Sequence, residues 1–355
     1  MDLTNTLKRA VEEHISDIFI VAGKPLCFKT GAHIEPVDNV RLLPDATRAY
    51  ITEIYKMAND RSTARLTEKG DDDFSFSLKG VSRFRVSAYK QRGSLAAVIR
   101  VVALELPDPR ALHIPENVLA LADIPRGLLL VSGPSGCGKS TTLACMIDRI
   151  NAQRSGHIIT LEDPIEYLHS HKRCIVSQRE IEMDTESYPA ALRAALRQNP
   201  DVILIGELRD AESIAIALTA AETGHLVIST LHTLGAANSV DRLVDVFPPE
   251  QQQQVRMQLS MVLQAVVSQQ LLPARDGGER PAFELMLCSS AVRNTIRDGR
   301  THQLDALIFA GASAGMVPMD ASLLELYQAG IITAAEAELR SLAPEQLARR
   351  LREIQ

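Results

Sequence analysis

Eight consecutive residues, Gly133-Pro134-Ser135-Gly136-Cys137-Gly138-Lys139-Ser140, match the phosphate-binding pattern G-x-x-x-x-G-K-[ST], and Thr141 follows as a further candidate of the same loop. Glycines at 133, 136 and 138 permit positive φ, so successive N–H groups can converge on phosphate oxygens. A helix that begins just after the loop adds a favourable dipole. Lys139 is then placed to contact the β- and γ-phosphates and the Ser140 hydroxyl to bind Mg²⁺. Cys137 occupies a variable position and reads as a filler. The plain alternative is a glycine turn with a coincidental lysine. At average residue frequencies the pattern arises by chance in about one chain in a hundred of this length. The flanking apolar strand and helical run make coincidence rarer still. ATP and Mg²⁺ are therefore the expected cofactors.

Two further segments end in acids: Leu161-Glu162-Asp163-Pro164-Ile165-Glu166 and Ile205-Gly206-Glu207-Leu208-Arg209-Asp210. Each follows a short apolar run. Ligands of open α/β sheets bind beyond the carboxyl ends of the strands. A carboxylate there can orient or deprotonate water, or hold the shell of a metal ion. Glu162 and Glu207 are the candidates, with Glu162 also a candidate for the Mg²⁺ shell, directly or through water. Asp163 and Asp210 have a simpler alternative in helix N-capping. Arg209 could hold Glu207 or Asp210 in place. Gly206-Glu207 stands where a Walker B strand usually ends in Asp, and its strand is expected to lie next to the P-loop strand. Two histidines flank a fourth apolar run, His225 before it and His232 after it. His232, at the carboxyl end, is a candidate sensor of the γ-phosphate. For both, the alternative is an ordinary structural histidine.

The elements that must position these residues can be read from periodicity. Residues 127–133, 157–162, 201–206 and 225–231 are short runs apolar on both faces, which read as buried parallel strands. Between the last two, Ile214, Ala217, Leu218 and Ala221 fall at helical spacing, with Gly224 as the stop. Such alternation implies an α/β domain with right-handed crossovers. After about residue 250 the chain reads as mainly helical, with one strand at 282–287. The first hundred residues read differently: an amphipathic helix at 3–11, a strand at 18–21, a helix at 45–58, and strands at 73–78, 83–89 and 96–102. Period-two alternation in the last three implies an antiparallel sheet with one solvated face. Pro107, Pro109 and Pro115 mark a boundary. The expected division is a domain at 1–104, a linker at 105–115 and a second domain at 116–355.

Composition narrows the classes. With 355 residues, 46% hydrophobic and 23% charged, the chain is that of an ordinary globular protein of about two domains. The net charge of −6, 4% aromatics and absence of Trp argue against a nucleic-acid binder. The five cysteines include no C-x-x-C pair, which argues against structural zinc. No apolar run is long enough to span a bilayer, and the first residues show no secretory signal. The cytoplasm is the expected compartment.

The run Leu196-Arg-Gln-Asn-Pro-Asp-Val-Ile-Leu-Ile-Gly-Glu-Leu-Arg-Asp210 resembles a signature of the secretion ATPase superfamily of type II secretion and type IV pili. Residues 161–166 resemble its Asp box and residues 223–242 its His box, in the same order. Within the superfamily the chain looks most like the pilus retraction ATPases, the PilT family. The length leaves no room for the extra N-terminal domain of the assembly ATPases, their tetracysteine motif is absent, and the segment from Ala291 to Gln303 resembles the C-terminal region of retraction motors. Phe19 stands where the family commonly shows His. The resemblance implies a PAS-like α+β N-terminal domain and a RecA-like P-loop ATPase domain in a ring-shaped homohexamer. It also implies an arginine, supplied in trans or by the adjoining domain, that stabilises γ-phosphate charge. Arg83, Arg85 and Arg100 are the candidates, with a solvated sheet face as the alternative for each. The function implied is ATP-driven retraction of a type IV pilus, giving twitching motility. The motor would sit at the cytoplasmic face of the inner membrane on an integral platform protein, with other pilus ATPases as further partners and no direct nucleic-acid contact. A pilus-assembly, DNA-uptake or secretion ATPase of the same superfamily is the alternative, and a non-hydrolysing nucleotide-gated adaptor is the alternative from another class.

Overall fold

The computed structural model describes residues 2–31, 33–102 and 106–354. Leu104 and Glu105, where the first domain is expected to end and the linker to begin, lie outside the described residues. The chain separates into two compact units, Met1–Glu105 with Glu166–Leu168, and Leu106–Ile165 with His169–Gln355.

In the first unit, helix α1 (Leu3–Glu12) starts at Asp2, whose carboxylate accepts the Thr4 N–H at 3.1 Å. Leu3, Leu7 and Ala10 form its buried stripe. There follow β1 (Asp17–Ile20), β2 (Cys27–Thr30), β3 (His33–Pro36), α2 (Pro44–Met57), α3 (Ala64–Lys69), β4 (Asp71–Leu78), β5 (Ser82–Gln91) and β6 (Ser94–Val101). The six strands form one antiparallel sheet in the order β3-β2-β1-β6-β5-β4. Strand β5 shows why it is one-sided: Phe84, Val86 and Ala88 enter the core, and Arg83, Arg85 and Ser87 alternate onto the other face. The strands β2 and β3 and the helix α3 escape a periodicity reading because four to six residues are too few to show a period.

The second unit runs through α4 (Glu116–Leu119), β7 (Gly127–Ser132), α5 (Lys139–Gln153), β8 (His157–Glu162), β9 (Ile175–Glu180), α6 (Tyr188–Ala195), β10 (Val202–Ile205), α7 (Ala211–Glu222) and β11 (Leu226–Leu231). It continues through α8 (Ala236–Asp245), α9 (Pro249–Val262), β12 (Leu263–Pro273) and β13 (Glu279–Leu287). Five helices close the chain: α10 (Ser290–Arg297), α11 (Leu304–Ala310), α12 (Met319–Gln328), α13 (Ala334–Arg340) and α14 (Pro344–Ile354). The sheet order is β13-β12-β7-β11-β10-β8-β9, parallel except for β13. Strands β7, β10 and β11 are buried along their whole length, since both faces carry helices. Alternation in β7 divides the two cores: Leu128 and Leu130 pack with Ile214, Ala217 and Leu218 of α7, while Leu129 and Val131 pack with Leu143, Met146 and Ile150 of α5. Among the described residues no helix is long and apolar enough to cross a membrane.

Two expectations are corrected. The strand leading to Glu207 does not adjoin the P-loop strand, because β11 hydrogen-bonds to both β7 and β10 and lies between them. Sequence order carries no information about this insertion. The region after residue 250 holds a second strand, β12, eleven residues long. Ser268, Gln269 and Gln270 interrupt its apolar run, yet all three are buried.

Candidate nucleotide site

Strand β7 ends at Ser132 and α5 begins at Lys139, so the loop between them is clamped by a buried strand and a helix N-terminus. Gly133 has φ 145°, and a Cβ there would stand 2.2 Å from the Gln269 carbonyl oxygen. Only glycine permits that approach. Gly138 caps α5 in the left-handed region, at φ 89°. Pro134 is half-buried, Ser135 and Gly136 are exposed, and Ser140 and Thr141 are half-buried on the first turn of α5. Cys137 is buried, and burial pushes its thiol up from the usual range, in keeping with a packing role. Lys139 is 7% exposed; its Nζ donates to the carbonyls of Gly133 at 2.8 Å and Pro134 at 2.9 Å. The ammonium is thus folded onto the loop, within reach of whatever anion the loop would hold.

Past β10, Glu207 is largely buried. Its Oε2 lies 2.6 Å from Arg209 Nε and 3.3 Å from His232 Nε2. Neither approach is aligned as a hydrogen bond, so this buried oxygen keeps an open acceptor position. His232, just past β11, has its Nδ1 3.4 Å from Ser135 Oγ on the loop. The imidazole therefore spans from the P-loop to Glu207 across the position that β11 occupies. Glu162 closes β8, one strand beyond β10; its Oε1 accepts from Thr160 Oγ1 at 2.6 Å and Gln178 Nε2 at 3.2 Å. Tyr188 sits among these acids. Its hydroxyl is raised first by burial and then by the charges of Asp163, Glu207 and Glu162. That hydroxyl would stand 2.8 Å from a Cβ on Gly206, which accounts for glycine directly before Glu207.

Asp210 caps α7, accepting from Ser213 N at 2.8 Å and Ser213 Oγ at 2.9 Å. Asp163 begins no helix. Arg209 is the ion-pair partner of Glu207. His225 lies at the opposite end of β11 from His232, its Nδ1 2.9 Å from the Ala220 carbonyl. Arg83, Arg85 and Arg100 belong to the first unit. Arg85 faces Arg100 in the β5–β6 register, and Arg100 Nε donates to Asp17 Oδ1 at 2.9 Å. Arg83 Nη1 lies 3.4 Å from Ser77 Oγ.

The profile of the family described as "Type II/IV secretion system protein" matches residues 1–348. The chain belongs to that family. It is 42% identical over 345 residues to the type IV pilus retractation ATPase PilT of Pseudomonas aeruginosa, covering 97% of this chain and 99% of that one. The type IV pilus ATPase PilU of the same organism is 40% identical over 338 residues, covering 95% and 88%. The crystal structure of the pilus retraction motor PilT with bound ADP superposes with a TM-score of 0.90 at 44% identity, over 98% of this chain and 99% of that one. The Legionella pneumophila ATPase DotB superposes with a TM-score of 0.82 at 26% identity, over 95% and 94%. The secretion-family architecture is thus a RecA-like domain preceded by a smaller α+β domain.

For this secretion-family chain, motif reading passes over the residues that hold the site from behind. Gln269 of β12 donates from Nε2 to the Cys137 carbonyl at 2.7 Å and accepts from Thr142 Oγ1 at 2.7 Å. Tyr188, Thr160 and Gln178 likewise surround the acids. The available signal is Ser268-Gln269-Gln270 inside an otherwise apolar run, since buried polar side chains require partners.

Proposed function

We propose that this chain is an ATP-hydrolysing motor of the pilus-retraction kind. In this reading it is a homohexamer, docked on an integral platform protein at the cytoplasmic face of the inner membrane, with other pilus ATPases as further partners. One observation carries the chemistry: the P-loop, His232 and Glu207 stand in a row across the carboxyl ends of β7, β11 and β10. Similarity to PilT over nearly the whole chain supports the mechanical role.

The loop from Gly133 to Thr141 and the N-terminus of α5 bind the phosphates, chiefly through the N–H groups from Ser135 onward, since Pro134 has none and that of Gly133 donates to the Leu231 carbonyl at 3.3 Å. Lys139 exchanges its two carbonyl contacts for phosphate oxygens, a stronger partner for an ammonium because the oxygens are charged. Ser140 and Glu162 offer the hard oxygen donors that suit Mg²⁺, Glu162 through water. Mg²⁺, when bound, neutralises phosphate charge. Glu207 Oε2, with its open acceptor position, orients the attacking water and takes its proton. Arg209, with its Nε 2.6 Å from that oxygen, holds the carboxylate in place. His232 connects Ser135 to Glu207, so a change at the γ-phosphate reaches the carboxylate. Charge on the leaving phosphate needs an arginine as well. Arg83, Arg85 or Arg100 of a neighbouring subunit supplies it, and Arg100 would first have to leave Asp17.

Phosphate release measured against protein concentration tests this reading. Specific activity should rise across the assembly range and fall in Arg83→Ala or Arg85→Ala, and a deletion strain should carry pili that extend but do not retract. Full activity in the monomer, or normal retraction in the deletion strain, contradicts it.

A further inference from the structure

Strand β12 runs alongside β7 up to the rung Ser268–Ser132 and then continues from Gln269 to Pro273, past the point where β7 gives way to the P-loop. Its first residue beyond that rung, Gln269, is 3% exposed and makes both of its amide contacts to the phosphate-binding segment. The Cys137 carbonyl can only accept, which fixes the amide with Nε2 toward the loop and Oε1 toward the Thr142 hydroxyl. One side chain thereby ties the loop to the first turn of α5.

We propose that Gln269 is a positioning residue for nucleotide binding, holding the Cys137–Gly138 peptide so that its N–H faces the phosphates. A trans peptide is planar, with its C=O and N–H pointing in opposite directions. Drawing the Cys137 carbonyl toward β12 therefore turns the Gly138 N–H away from β12, to the side where an anion would sit. An anion-binding loop needs its N–H groups inward and its carbonyls turned out. The loop's other carbonyl contacts do not provide this anchor. Lys139 holds the Gly133 and Pro134 carbonyls, and it leaves them when it turns to phosphate. The Gln269 contact involves no group that phosphate competes for, so it persists in the nucleotide-bound state. Close packing adds to it, because a Cβ on Gly138 would lie 3.0 Å from Gln269 Nε2.

The neighbouring residue provides an internal control. Gln270 is equally buried, but its side chain points to the other face of β12, where Nε2 donates to the Arg340 carbonyl at the end of α13 at 2.9 Å. Losing either glutamine strips one strand of one buried amide; only one of them touches the loop.

This role for Gln269 rests on the ATPase reading, and the experiment separates the two. Full-length wild type, Gln269→Leu, Gln270→Leu and Thr142→Val are titrated with a fluorescent ADP analogue, assayed for kcat and KM, and melted thermally. Gln269→Leu should raise the Kd by about tenfold, the effect of one buried hydrogen bond. KM should rise in step and kcat change less, because the amides serve the ground and transition states alike. Thr142→Val should have a smaller effect, and adding it to Gln269→Leu should add almost nothing, since both remove the same link. Gln270→Leu should lower the melting temperature and leave Kd unchanged. If Gln269→Leu does not fold, Gln269→Glu keeps the Thr142 contact and loses only the donor to Cys137; it should show at least the same rise in Kd. Wild-type Kd in a folded Gln269 variant overturns the proposal. Equal weakening by Gln270→Leu also overturns it, by showing a general loosening of β12. Absence of nucleotide binding by the wild type overturns the ATPase reading and this proposal with it.

Discussion

The two ends of the parallel sheet carry the same kinds of residue and treat them in opposite ways. At the amino ends of the strands, His157 has both ring nitrogens occupied, Nδ1 3.0 Å from the Gln198 carbonyl and Nε2 2.9 Å from Ser177 Oγ. Asp201 accepts the His157 N–H at 2.8 Å, and His225 is held by Ala220 and Thr223. At the carboxyl ends, His232 reaches Ser135 and Glu207 only at 3.3–3.4 Å, and Glu207 Oε2, though 2.6 Å from Arg209 Nε, has no aligned hydrogen-bond donor. Residue type does not separate these groups; the completeness of their partners does. A polar group whose partners are all supplied by the fold stabilises the fold. One left with an open position, at a helix N-terminus and at strand ends where dipoles and loops converge, is available to a ligand.

Lys139→Ala should break the carboxyl-end cluster most severely. It removes the charge that neutralises the phosphates, so hydrolysis should be abolished, while the loop amides retain weak nucleotide binding. Wild-type turnover in this variant would remove the P-loop from the catalytic reading.

Glu207→Gln sharpens the comparison at one atom. The swap keeps size and hydrogen bonding but removes charge and basicity. Turnover should fall by roughly 10²-fold or more, with nucleotide affinity and thermal melting near wild type. Loss of binding or stability, with turnover per bound ATP intact, would make Glu207 structural and move the catalytic role to Glu162.

The two histidines of β11 give the smallest and most direct contrast. His232→Ala should lower kcat by about tenfold, the worth of a bridging contact, at little cost in stability. His225→Ala should leave kcat alone and cost about 1 kcal/mol, read as a drop of about 2–4 °C in melting temperature. The reverse pattern would mean that the amino end of the sheet carries the function.

Much of the site is legible in the amino-acid sequence. The P-loop, the four apolar runs, and the acids and histidines at their ends announce themselves because each depends on local constraints: positive φ at glycines, burial on both faces, and strand polarity. Local constraints do not reveal β12. A strand carrying Ser268, Gln269 and Gln270 looks too polar for a sheet interior until the partners of each side chain are known, and those partners are distant in sequence. Nor do they reveal the neighbour of the P-loop strand, since the insertion of β11 between β7 and β10 is a matter of which backbones pair.

The sequence by itself determined the glycine-rich P-loop motif, the α/β character of the second unit, the antiparallel sheet of the first, and the family resemblance. All of these follow from residue type and short-range spacing. Only the tertiary structure decided that His232 stands between the loop and Glu207, that Arg209 pairs with Glu207 while Asp210 caps a helix, and that Gln269 holds the loop from behind. Sheet order and side-chain partnership are long-range relations, set by how strands pair and how buried polar groups find one another.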